Sequence, residues 1–208
     1  MKQILSITLI VFAFNFSLGQ EVYLNVGRNF TTYDYTNTLG DENPNIESSS
    51  GNFYEVGYIF PIDDKFKFST SLTLDQLNAT GGNLVNNYSW ETDYIGLQGM
   101  VRYNLLEFRQ GRYNFSPFSV IIKAGMNFNH IIDGIQKING QTFKLSNENE
   151  FKGVFIKPVV GLDLQFLFSN NIAINLWYNL SKNLSFSSKE RLNFNNRQLQ
   201  FGVLMSFN

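Results

Sequence analysis

Cysteine is absent from this chain, which excludes a disulfide framework and every thiolate metal site. Charge is scarce as well. Charged residues make up 16% of the composition, against about 25% in soluble globular domains. That is too little to cover the wet face of a β-protein of 208 residues. No basic stripe interrupts the sequence, which argues against nucleic acid as a partner. Past the first twenty residues no apolar run reaches the roughly 18 positions of a membrane helix. Histidine occurs once, as His130, and no glycine-rich phosphate loop is present.

The first residues read as a leader. Lys2 supplies the positive start, Ile4 to Phe16 is mostly apolar, and Ser17, Leu18 and Gly19 form a processing site. Residues 1–19 are therefore expected to be a signal peptide, cut before Gln20, with 20–208 as one domain. Removing Lys2 leaves fifteen basic residues against seventeen acidic ones, a net charge of −2.

What remains is alternation. Phe66, Phe68, Thr70, Leu72 and Leu74 share one parity, and Lys67, Ser69, Ser71, Thr73 and Asp75 share the other. Eight segments repeat this pattern, near 21–32, 51–60, 66–77, 92–103, 115–129, 152–168, 172–184 and 197–208. Pro61 to Lys65 and Ser169 to Asn171 read as short turns, with 104–114 as a longer one on the same rim. The connections 34–50, 78–91, 131–150 and 185–196 are polar and long, and Asn139-Gly140 is a hairpin signal inside the third. An even strand count with long and short connections in turn predicts an all-β, eight-stranded antiparallel up-and-down transmembrane β-barrel. Pro158, inside the sixth segment, lacks a ladder donor and predicts a bulge.

Bulk decides which face looks outward. An eight-stranded interior holds little beyond packed side chains, and the apolar parity is too large to fit inside. Reversing the phase would put Lys123, Lys157 and Asp163 against hydrocarbon, at about 2–4 kcal/mol for a basic residue near the midplane. The chosen phase instead gives each large side chain about 1.5–3 kcal/mol of burial. Phe60, Phe66, Tyr103, Phe168 and Phe207 are expected to form an inner aromatic girdle. Glu55, Lys67, Arg102, Lys123, Lys157 and Asp163 then form a mixed-sign lumen network, structural in role, with Gln98, Gln165 and Asn175 between them.

Asp93 to Gln98 with Tyr103, Ser116 to Gly125, Val159 to Leu164 and Phe201 to Phe207 resemble bacterial outer-membrane barrels of the OmpA/OmpX type. More closely they are similar to the PorT-like outer membrane protein β-barrel domain family of Bacteroidota. The resemblance spans the whole mature chain. It implies an outer-membrane location, contact with outer-membrane lipid, and assembly by the barrel-assembly machinery, which reads a C-terminal aromatic residue. Here that residue is Phe207, one short of the end.

Catalytic sets are not found. His130 is followed by Ile131, Ile132 and Asp133, without the serine two positions on that a lipid A deacylase-like site needs. Asp63-Asp64 falls in a turn rather than beside a His–Asp couple. Asp34, Asp41, Glu42 and Glu47 cluster in one connection without the spacing of a calcium loop. The expectation is a non-enzymatic barrel with no cofactor and no metal, whose outer connections serve surface interaction or envelope integrity. The alternatives are a small pore or secretion-machinery component with a protein partner, and a soluble periplasmic lipocalin-like binder.

Overall fold

The computed structural model describes residues 20–36, 46–82, 87–108, 118–145, 153–184 and 191–207. The expected leader, residues 1–19, lies outside them, as do Asp41 and Glu42. Nine strands are described: β1 (Gln20–Thr36), β2 (Ile46–Pro61), β3 (Phe66–Gly82), β4 (Asn87–Phe108), β5 (Phe118–Ile138), β6 (Gln141–Lys144), β7 (Val154–Ser169), β8 (Ile172–Lys182) and β9 (Arg191–Phe207).

All pairings are antiparallel. β1 pairs with β2 and with β9, β4 pairs with β5, and β5 pairs with β7, so eight strands close on themselves. Closure removes every edge among them, which is the condition for placing β-structure in hydrocarbon. β6 is extra. It pairs only with the outer end of β5, through a turn with Asn139 at φ 50° and Gly140 at φ 84°. Two successive positive φ angles require residues of the Asn-Gly kind.

The outward parity is apolar along every stave. Leu24, Val26, Leu72, Leu97, Leu162, Leu176 and Phe201 are each at least 40% exposed. Phe66, Phe168 and Phe207 lie exposed at the inner end, where the short turns are. The ring of Phe66 sits 4.9 Å from that of Tyr103.

Several strands run further outward than alternation indicates. β2 starts at Ile46 rather than Gly51, β3 continues to Gly82, β5 to Ile138, and β9 starts at Arg191. Asp34 and Glu47, read as loop residues, are strand residues. The twenty-two residues of β4 at about 3.3 Å each make a stave of roughly 70 Å. A band of about 25 Å at a tilt near 40° needs only half of that. Alternation fades in the outer extensions, while the backbone ladder still satisfies its own donors and acceptors.

Pro158 does not make a bulge. Its pairing with Met126 on β5 is in register with its neighbours. The carbonyl of Ile156 faces β8, where it accepts from Leu184 N at 2.8 Å, and Pro158 shares that direction by parity. The regular β7–β8 ladder begins only at Val159, opposite Ser181. The missing donor therefore falls where the ladder ends. Real irregularities occur in β2, between Ser48 and Phe53, and at Asp93/Tyr94, Asn104/Leu106 and Leu167/Ser169.

Candidate functional site

Inward parity brings six charged strand residues into one lumen. Glu55, Arg102, Lys123, Lys157 and Asp163 are at most 1% exposed. Asp75 joins them, also at 1%. It shares parity with Ser69, Ser71 and Thr73, and that phase was the signal for it. Lys67 stands apart. It lies at the inner rim, its side chain 33% exposed, and bonds Glu21 Oε1 at 2.7 Å.

Glu55 is a hub held without a direct cation. Tyr23 Oη donates to it at 2.9 Å, Asn25 Nδ2 at 3.2 Å, Ser71 Oγ at 2.6 Å and Gln98 Nε2 at 2.8 Å. Gly57 makes this possible, since a Cβ there would meet the ring of Tyr23 and Ser71 Cβ. Further out, Asp75 receives Lys157 Nζ at 2.8 Å, Asn129 Nδ2 at 3.1 Å, Gln198 Nε2 at 3.0 Å and Asn29 Nδ2 at 3.3 Å. Further in, Arg102 Nη2 donates to Asp163 Oδ2 at 2.5 Å.

Lys123 has no hydrogen-bond partner among the described residues. Its Nζ lies 3.1 Å from the centroid of the Trp177 ring, with the Arg102 guanidinium carbon 4.9 Å from the same ring. An ammonium over an indole face is held by the ring quadrupole. The deeply buried charges of the described lumen are thus Arg102, Lys123 and Lys157 against Glu55, Asp75 and Asp163. Equal numbers of each sign keep the desolvation cost tolerable. Gln98 and Asn175 are buried among them, whereas Gln165 is half-buried.

The polar column is stoppered at both ends by apolar groups. This is the feature the sequence reading missed. Tyr23, Ile59, Ala173, Trp177 and Leu204 cluster at the inner end. Tyr33, Leu77, Tyr94, Ile131, Leu145 and Phe194 cluster at the outer end, with Trp90 and Phe155 against them. Phe155 lies 5.8 Å from Tyr94 and 5.3 Å from Phe194, ring to ring. Apart from Leu145, which follows β6, each belongs to the inward parity of its strand. The signal was an aromatic in that parity near a strand end.

His130 lies on the outer surface of β5, its Nδ1 3.0 Å from the carbonyl oxygen of Gly153. No hydroxyl nucleophile contacts it among the described residues. Among those residues, no group of three or more His, Asp or Glu is placed to hold a metal ion.

The chain matches no family model and no curated protein. Solved structures do resemble it. The outer membrane protein OprG from Pseudomonas aeruginosa aligns over 91% of this chain and 97% of its own, at 10% identity and TM-score 0.54. Neisserial surface protein A aligns over 88% and 97%, at 14% identity and TM-score 0.46. Ail, the attachment invasion locus protein of Yersinia pestis, aligns over 91% and 100%, at 13% identity and TM-score 0.42. At such identities the likeness to OprG shows the fold: a closed eight-stranded antiparallel barrel of the outer-membrane type.

Proposed function

We propose that this protein is a non-enzymatic integral outer-membrane barrel whose outer rim carries recognition and whose lumen is a sealed structural core. The apolar belt supports the membrane setting, because no aqueous compartment solvates so continuous an apolar wall. It argues against the soluble lipocalin-like reading, which needs the bulky set inside. The single observation that carries the sealed lumen is its filling. Trp177, Arg102, Tyr23, Tyr94 and Phe53, among the largest side chains of the interior, are at most 1% exposed. Recognition is assigned to the outer rim because staves and the β6 hairpin project there. All four β6 residues are exposed, Phe143 at 46%. A protein partner at the cell surface is part of this reading. So is assembly by the barrel-assembly machinery through Phe207, which is 50% exposed on the outer wall.

One observation favours a conduit as the second reading, and the PorT-like resemblance gives that reading a secretion-machinery variant. Lys123 Nζ, Arg102 Nε and Asp163 Oδ1 have no hydrogen-bond partner among the described residues, which leaves polar atoms along the axis. Planar-bilayer recording separates the two. The sealed barrel is expected to give no steady unitary current, in the native form and in Lys123→Ala. A steady current that Lys123→Ala alters replaces this reading with the conduit.

A further inference from the structure

The outer wall has a notch where the β7–β8 ladder ends at Pro158. It is a groove of about 370 Å³, floored by Pro158, Val160 and Leu180 and lipped by Lys182, Asn195 and Arg197. We propose that this groove seats a phosphorylated lipid of the surrounding leaflet, with its phosphate on Lys182 and Arg197 and an acyl chain along the floor. The proposal rests on the membrane reading above for the leaflet, and on the groove itself for the ligand.

The level of the groove is the first argument. Val160 pairs with Leu180, and Leu180 pairs with Arg197. Lys182, opposite Asn195, lies one outward step beyond Leu180. On β9 the last apolar outward residue is Leu199, 48% exposed, and Arg197 follows it. The two cations therefore stand at the outer margin of the apolar wall, level with exposed Phe30 and just inside exposed Leu184, where a lipid's headgroup meets its chains. Any ligand filling both halves of the groove must itself be half apolar and half anionic.

Charge is the second argument. Neither Lys182 nor Arg197 has an ion-pair or hydrogen-bond partner among the described residues, and both are exposed. Their neighbours are otherwise engaged. Asn195 Nδ2 donates to Asp34 Oδ2 at 2.7 Å. Arg28 donates to Asn52 Oδ1 at 2.6 Å and Ser50 Oγ at 3.0 Å. At the same level on the far wall stand Gln76 and Asp93, opposite one another on β3 and β4. The groove thus carries two cations against the one carboxylate, Asp34, bonded to its lip, a balance that favours an anion. An ammonium and a guanidinium on adjacent strands suit a phosphomonoester, which presents two charges and three acceptor oxygens.

The test uses the full barrel in phosphatidylcholine vesicles doped with diphosphorylated lipid A, extracted gently and weighed by native mass spectrometry. The native barrel is expected to retain lipid A. The Lys182→Gln/Arg197→Gln variant is expected to retain about ten-fold less, the loss of charge-assisted bonds at two cations. Pro158→Val, which keeps both cations but returns a ladder donor and narrows the floor, lowers retention as well. Arg28→Gln leaves retention unchanged. Equal retention by the double variant, or equal retention of dephosphorylated lipid A, overturns the proposal. Displacement of lipid A by millimolar inorganic phosphate overturns it in favour of a free-phosphate site. A barrel that inserts into the vesicles yet retains no lipid A refutes the groove alone, whereas a barrel that never inserts refutes the membrane reading.

Discussion

Lys157 shows how a charge is kept in this lumen. Its ammonium is 1% exposed and meets Asp75 at 2.8 Å. Three side-chain amides complete the carboxylate's set. Removing one partner of such a pair strands the other, at about 3–5 kcal/mol, whereas replacing both is close to neutral. Lys157→Met is therefore expected to lower the urea unfolding free energy in vesicles by about that amount. Asp75→Asn/Lys157→Met is expected to recover most of the loss. Equal loss in the single and double variants would show that packing, not the unpaired carboxylate, sets the cost. Lys123 works differently. Its charge rests on the face of Trp177, and its carboxylate neighbours act through space rather than through a bond.

Turns and ladder ends decide the behaviour of single elements. In the turn between β2 and β3, Asp63 Oδ1 accepts from Lys65 N at 2.8 Å and from Phe66 N at 2.7 Å. These amides, Phe66 first and Lys65 next, hold the carboxyl below its ordinary range. A depressed folded value means that the carboxylate's stabilisation is present above the unfolded pKa, near 3.9, and is lost as pH falls through the folded value. Unfolding midpoints taken downward from pH 5 are expected to decline less steeply in Asp63→Asn than in the native chain. Parallel curves would show that the turn does not depend on the charge. The same scale shows what could be read beforehand. Phase and turn signals located the staves within the apolar belt, because outward apolar residues alternate there with inward polar ones. The extensions of β2, β3 and β5 could not be read, since Asn, Ser and Thr look alike in a loop and in a solvated ladder. In β2 the side chains even stand in for the ladder: Asn52 N donates to Gln76 Oε1 at 3.1 Å and Asn78 Nδ2 to Ser50 O at 3.1 Å. Five of the six expected lumen charges are buried inside; Lys67 sits too near the inner end of β3 to be enclosed.

The whole molecule inverts the pattern of a soluble protein: apolar side chains on the outer wall, ions and amides at mid-height inside, and aromatic stoppers above and below them. Its stability in a bilayer must then depend on depth along the outer wall and not on residue burial within the chain. Leu97 tests this, being 55% exposed and midway on β4 between Tyr103 at the inner interface and Asp93 at the outer one. An arginine there faces the centre of the hydrocarbon, so Leu97→Arg is expected to cost about 2–4 kcal/mol. Phe168, 72% exposed at the inner rim, lies where the same substitution costs about 0–1 kcal/mol. In water the ranking would be absent, because both positions are solvent-exposed on the isolated chain and neither substitution would strip a core contact. Unfolding both variants from phosphatidylcholine vesicles and comparing them with the native barrel therefore measures the solvent of the outer wall directly. A loss at Leu97 several times that at Phe168 is the expected outcome. Equal losses would mean that the belt does not face hydrocarbon, and the sealed lumen would then have to be read as the core of a soluble barrel turned inside out.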